Sequence, residues 1–252
     1  IIICMNKIHR LLKSYHNGKK ISCITGYDAS IAKYLEGSHV DIVLVGDSLG
    51  QVIKGEKSTH NVSLDEIIYH TSCVRSGLTE TLLMSDLPKN SYTSKAQAYK
   101  NSKKLLSKNL ADIVKLEIDT NNLEIAKYLI DKKIPICAHI GLLPQSISRK
   151  SGYRKYGKTK NEATKLFNLA MALDQMGASI ILLECIENKL SKRISMNTNS
   201  PVIGIGSGQA LDGQVAVIYD LLGISFNSID QFTSGNTKSI DRQILKFKKT
   251  LR

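Results

Sequence analysis

The chain has 252 residues, of which 42% are hydrophobic and 23% charged. That balance excludes a disordered or collagen-like chain and allows one barrel-sized domain or two smaller ones. The formal net charge is +13, but the lysines are scattered along the whole chain, with no long basic run and few aromatics between the charges. We therefore read the charge as a solvated surface and expect no nucleic-acid partner. The longest apolar runs, residues 178–183 and 201–205, fall far short of the roughly 20 residues a membrane span needs. Ile1 to Cys4 is too short for the core of a secretion signal. Met5 is a candidate natural start, which would make the residues before it an extension. The five cysteines show no C-x-x-C spacing and read as reduced, mostly buried thiols of a cytoplasmic protein.

In chain order, residues 21–26 and 41–46 read as strands, short and rich in Ile, Val and Leu. A helix follows over 63–77, where Ser63 and Glu66 have capping-box spacing. Next come a strand at 81–86, a helix at 94–110, a strand at 112–117, a helix at 121–131 and a strand at 134–139. The helix at 161–176 carries Ala163, Leu166, Phe167, Ala170 and Leu173 at helical spacing. Strands at 179–184 and 201–206, a helix at 211–222, a strand at 222–226 and a helix at 239–251 close the series. Most of the strands are apolar throughout rather than alternating, as strands covered on both faces must be. Eight strands with alternating helices, and no linker between them, predict a single α/β domain over residues 1–252, a (β/α)8 TIM barrel. A doubly wound open sheet is the alternative.

In such a barrel, catalytic groups sit at the C-terminal ends of the strands. Polar residues recur there: Gly46-Asp47-Ser48, Ser85-Asp86, Lys115 and Glu117 on one side of a strand, His139, Glu184, and Gly204-x-Gly206-x-Gly208. Each alone has an ordinary explanation as a cap, a turn or a satisfied core group. Together they are harder to dismiss, because an unpaired charge inside an apolar strand is costly. Asp47, Asp86 and Glu117 would converge on one mouth, where a cation must offset their repulsion. Hard oxygen ligands without His or Cys clusters point to Mg2+ over Zn2+. Glu184 is left as a base whose proton affinity burial would raise, and Lys115 and Ser48 suit an anionic substrate oxygen. The residues alone predict metal-assisted proton abstraction beside the carbonyl of a small keto acid.

From about Lys20 to Gly223 the sequence resembles the ketopantoate (3-methyl-2-oxobutanoate) hydroxymethyltransferase family. The motifs that carry the resemblance are Thr25-Gly26-Tyr27-Asp28, Val45-Gly46-Asp47-Ser48-Leu49-Gly50, Tyr69-His70-Thr71, Ser85-Asp86-Leu87-Pro88, Val114-Lys115-Leu116-Glu117, Ala138-His139-Ile140-Gly141, Pro144-Gln145-Ser146, Leu183-Glu184-Cys185, Gly204-Ile205-Gly206-Ser207-Gly208 and Asp212-Gly213-Gln214. The resemblance implies a (β/α)8 fold and a cytoplasmic homo-oligomer, often a decamer. It implies Asp47, Asp86 and Glu117 as Mg2+ ligands, and Asp47, Ser48, Asp86, Lys115 and His139 around the keto acid. Glu184 becomes the proton acceptor and 5,10-methylenetetrahydrofolate the one-carbon donor. The chain departs from the family at Lys89 (usually Phe), Ile118-Asp119 (usually a glycine pair), Leu143 (usually Thr), Tyr219 (usually His) and around Asp230-Gln231-Phe232. These departures bear on folate affinity, lid closure and subunit packing, not on the metal or base positions. Competing readings are a lyase or mutase of the phosphoenolpyruvate mutase and isocitrate lyase type, which lacks support from a cysteine-bearing loop, and a basic binding protein on a decayed barrel.

Overall fold

The computed structural model describes residues 2–147, 154–226 and 235–249. Eight parallel strands close into a barrel in the order β1 to β8, each beside its sequence neighbour, with β8 returning to β1. The strands are β1 (Ile21–Thr25), β2 (Ile42–Val45), β3 (Leu82–Asp86), β4 (Ile113–Glu117), β5 (Ile136–Gly141), β6 (Ile180–Glu184), β7 (Val202–Ile205) and β8 (Gly213–Ala216). The helices are α1 (Ile2–His16), α2 (Ala29–Gly37), α3 (Leu49–Val52), α4 (Leu64–Ser76), α5 (Lys95–Leu106), α6 (Leu123–Asp131), α7 (Lys160–Met176), α8 (Asn188–Ser195), α9 (Ile218–Leu222) and α10 (Lys238–Lys249). The closed order excludes the open sheet. No helix among the described residues is long and apolar enough to cross a membrane.

The continuous apolar strands are explained by two separate cores. Val43, Val45, Leu83, Val114, Leu116, Ala138, Ile181 and Leu183 belong to the larger cluster, with side chains of the surrounding helices. The alternating residues Cys23, Ile42, Leu44, Met84, Ile113, Cys137, Leu182 and Val215 form a second cluster inside the barrel. Successive strand side chains point to opposite faces, so one strand serves both cores. The same period carries the inward set upward: Met84 is followed two residues later by Asp86, Ile113 by Lys115 and Glu117, Cys137 by His139, and Leu182 by Glu184. A polar layer thus caps an apolar one on the same inward face.

Two expected elements are corrected. The closing strand is Gly213–Ala216, inside the segment read as a helix over 211–222, and only its end is helical, as α9. Residues 222–226 are not a strand: Leu222 ends α9, and Gly223 caps it in the left-handed region, φ 70°. The barrel selects Gly213 because a Cβ there would stand 2.3 Å from the Ile21 carbonyl oxygen. β8 can therefore close against β1 only with a residue that looks like a strand breaker. The helix expected at 94–110 ends as α5 at Leu106, where Lys108 and Asn109 turn the chain with φ 52° and 58°. Helices α1, α2, α3 and α8 were not expected. Asp28 caps α2, accepting from Ser30 N at 2.8 Å and Ile31 N at 2.9 Å. The segment at Asp230-Gln231-Phe232 lies outside the described residues, as does the end of the last expected helix beyond 249. Cys23, Cys73, Cys137 and Cys185 are free thiols.

Candidate active site

At the C-terminal ends of the strands lies a cavity of about 90 Å³, lined among others by Asp47, Ser48, Asp86, Lys115, His139 and Glu184. Six of the expected residues therefore share one mouth. Glu117 does not line it, although its strand neighbour Lys115 does. A volume of this size holds a small organic acid or several waters. Apolar walls are supplied by Leu44, Val52, Leu182, Ile205, Val215 and Val217. Thr25, Gln51, Thr59 and Asp220 also line it and were not singled out from the sequence. Thr25 was signalled by its place two residues above Cys23 on the inward face. Asp220 had no such signal: it lies on the short helix α9 after β8, a strand expected elsewhere in the sequence.

The charges are buried and mutually dependent. Asp86 is 0% exposed and Lys115 5%. Lys115 Nζ donates to Asp86 Oδ2 at 2.8 Å, and the same oxygen accepts from the Asp47 backbone N–H at 3.1 Å. Burial raises the Asp86 carboxyl to about 7, against the opposing pull of the Lys115 ammonium. Burial alone would lower Lys115, but Asp86 and Asp47 outweigh it and hold the ammonium charged. Glu117 is pushed well above the ordinary carboxylate range by burial and by Asp47. One of its oxygens, Oε1, accepts from the Gln145 N–H at 2.9 Å.

The loop after β5 is itself anchored. Gln145 Nε2 donates to the Leu87 carbonyl at 3.1 Å, Gln145 Oε1 accepts from Tyr92 OH at 2.7 Å, and the Pro144 carbonyl lies 3.0 Å from His60 Nε2. The departure Ile118-Asp119 is built into the fold beside Glu117. Ile118 is buried in the outer core, and Asp119 closes a turn with Asn122, whose Nδ2 donates to the Glu117 carbonyl at 2.9 Å.

Glu184 ends β6. Its carboxyl is raised to about 8, mainly by burial, with Lys115 opposing. His139 Nε2 lies 3.2 Å from Glu184 Oε2, and burial holds the imidazole well below its usual range, so it is neutral. The backbone around Glu184 is tightly determined. Its carbonyl accepts from Leu142 N at 2.8 Å, and Gly141, with φ 104°, leaves no room for a Cβ, which would stand 2.3 Å from that oxygen. Cys185 follows in the left-handed region at φ 53°, pinned by hydrogen bonds with Ile205 and Tyr156.

The donor set was tested for a metal. Among the described residues, no group of three or more His, Cys, Asp or Glu stands ready-made around one point. Yet Asp47 Oδ2, Asp86 Oδ1 and Glu117 Oε2 are all buried without a hydrogen-bond partner. Three orphaned, mutually repelling carboxylate oxygens are costly unless a cation or protons compensate them. Hard oxygen donors of this kind fit Mg2+.

The family model for ketopantoate hydroxymethyltransferase matches residues 5–247. A 3-methyl-2-oxobutanoate hydroxymethyltransferase of Aliivibrio fischeri is 42% identical over 233 residues, 91% of this chain and 88% of that protein. One from Vibrio cholerae is 40% identical over 243 residues, 95% of this chain and 92% of that protein. Among solved structures, 2,3-dimethylmalate lyase, a member of the phosphoenolpyruvate mutase and isocitrate lyase superfamily, superposes with a TM-score of 0.62 at 12% identity, covering 86% of this chain and 81% of that one. That likeness shows a shared barrel fold and no more.

Proposed function

Because the chain belongs to the ketopantoate hydroxymethyltransferase family, we propose that it transfers a hydroxymethyl group from 5,10-methylenetetrahydrofolate to 3-methyl-2-oxobutanoate. The products are 2-dehydropantoate and tetrahydrofolate, and one water supplies the hydroxyl oxygen. The observation that carries the chemistry is one cavity holding a carboxyl of raised proton affinity, Glu184, together with a charged ammonium, Lys115. Asp47, Asp86 and Glu117 are the residues that would hold Mg2+, which supplies Lewis-acid polarisation of the 2-oxo group when bound.

The chain's own groups account for the rest. Lys115 and the Ser48 hydroxyl receive the keto acid's anionic oxygens. Glu184 takes the proton from C3, and its raised proton affinity brings its strength nearer that of a weak carbon acid. Neutral His139 lies against Glu184 Oε2 and does not compete for the proton at neutral pH. As the C3–H electrons move toward the 2-oxo oxygen, Lys115 offsets the developing charge at low dielectric. The methylene carbon is bonded to two folate nitrogens, and both bonds break: water gives its oxygen to that carbon and its two protons to the departing amines. The C3 electron pair bonds to the same carbon, and its oxygen takes the proton held by Glu184 to become the hydroxyl. A cavity of about 90 Å³ is sized for the keto acid, so the folate would approach from the open side. The resemblance also carries assembly as a homo-oligomer in the cytoplasm, and sedimentation of the purified chain tests the assembly.

The decisive experiment mixes the protein with 3-methyl-2-oxobutanoate and Mg2+ in D2O, without folate, and follows the C3 proton by NMR. Exchange is expected for the native chain and not for Glu184→Gln. Failure of the native chain to exchange overturns the reading. Normal exchange in the variant removes Glu184 from the base role.

A further inference from the structure

Ser48 occupies the N-cap position of α3, where a serine ordinarily spends its hydroxyl on the helix N–H groups, yet it makes no such bond. Its Oγ lies instead 2.8 Å from the hydroxyl of Tyr27. Tyr27 is 1% exposed and stands behind the cavity wall, not in it. Its ring stacks on Tyr219, centroids 5.9 Å apart and planes 12° from parallel, at a position where the family usually has His. Its carbonyl is tied to His70 Nδ1 at 2.7 Å. A carbonyl only accepts, so the imidazole donates there. The phenol is thus held from its backbone and from its ring face, and only its hydroxyl reaches toward the site.

The direction of that hydrogen bond follows from the ligand. Either hydroxyl could donate across the 2.8 Å contact. Ser48 has one proton, and a carboxylate only accepts. A Ser48 that contacts the keto acid spends its proton there, so its Oγ is left to accept and Tyr27 donates. Hydroxyls ordered in one direction polarise each other. A Ser48 ordered this way offers a donor, and matches a ligand that presents an acceptor.

We propose that Tyr27 is a positioning residue that, by donating to Ser48 Oγ, fixes Ser48 as a hydrogen-bond donor to the carboxylate of the substrate. The proposal rests on the reading of Ser48 as a keto-acid contact. Its effect belongs in substrate binding, since the carboxylate keeps its charge throughout the reaction and binds alike before and during proton transfer.

The test measures initial rates of C3–H exchange against 3-methyl-2-oxobutanoate concentration for Ser48→Ala, Tyr27→Phe and the double variant. Ser48→Ala is expected to raise KM by at least about 10-fold, the size of one hydrogen bond to a charged group, and Tyr27→Phe by about 5- to 10-fold, the size of one between neutral groups, with kcat for exchange within about twofold in both. The double variant is expected to be no worse than Ser48→Ala alone, because the tyrosine acts through the serine. Replacing Tyr27 with 3-fluorotyrosine keeps the shape and strengthens the donor, so KM should stay at or below the native value. That variant also covers the case in which Tyr27→Phe does not fold. A Tyr27→Phe that leaves KM unchanged while Ser48→Ala raises it overturns the proposal and leaves the reading of Ser48 intact. Effects that multiply in the double variant, or a KM raised by 3-fluorotyrosine, also overturn it. A Ser48→Ala that leaves KM unchanged removes the contact itself.

Discussion

Glu184 ends an apolar strand, so its ionised form gives up hydration that the site replaces only in part. The carboxyl is held near 8 for this reason. A base works when deprotonated, so the exchange rate should rise with pH and level off above the Glu184 limb. A cation on the neighbouring acids favours the carboxylate, so with Mg2+ the limb lies below 8. The linkage to stability has the opposite sense. A carboxyl whose folded-state value is raised contributes stability that is complete below about 4.3, its unfolded value, and is lost as pH climbs through about 8. Glu184→Gln should therefore gain in melting temperature over the native chain more at pH 9 than at pH 4, by thermal denaturation. Lys115 shows the other side of burial. Its pair with Asp86 is nearly solvent-free, so removing one partner strands the other. Lys115→Met should cost about 3–5 kcal/mol in urea unfolding, and Asp86→Asn should recover part of that loss.

Individual strands and loops decide how well those residues meet. Glu117 comes from β4, yet its Oε1 is held by a loop that follows β5, through the Gln145 N–H. The Gln145 side chain pins that loop to Leu87 and Tyr92, after β3. Three successive strand ends are thereby locked together at one carboxylate. Gln145→Leu keeps the N–H but frees the loop. It should weaken binding of Mn2+, a paramagnetic stand-in for Mg2+, by about 10-fold in EPR titration, the scale of losses from groups that orient metal ligands. An unchanged affinity would detach Gln145 from the acid cluster. The Pro144-Gln145-Ser146 motif was visible in the sequence as a mark of the family, but not its purpose, since Glu117 and Gln145 are 28 residues apart and no local pattern joins them.

The barrel as a whole is closed from below by α1. Ile8 and Leu11 enter the inner core beside Cys23, Ile42 and Ile180, and Lys7 reaches the Thr81 carbonyl at 3.3 Å. The helix thus plugs the end opposite the site. Leu11→Ala should cost about 2–5 kcal/mol, as other large-to-small core changes do, seen as a lower urea midpoint. Exchange activity below that midpoint should persist, because no residue of α1 lines the cavity. By itself, the sequence determined the alternation of strands and helices, the parallel character of the sheet, and the charged groups at the strand ends. Those features repeat with a period of two along a strand or three to four along a helix, and a buried charge stands out wherever it interrupts an apolar run. Only the tertiary structure decided which segment closes the barrel, which helix plugs it, and that Lys115 is paired with Asp86 while Glu117 is clamped by Gln145. Closure chose Gly213–Ala216 over the more apolar 222–226, because the final strand must fit between β7 and β1, and that constraint exists only once those two strands are in place.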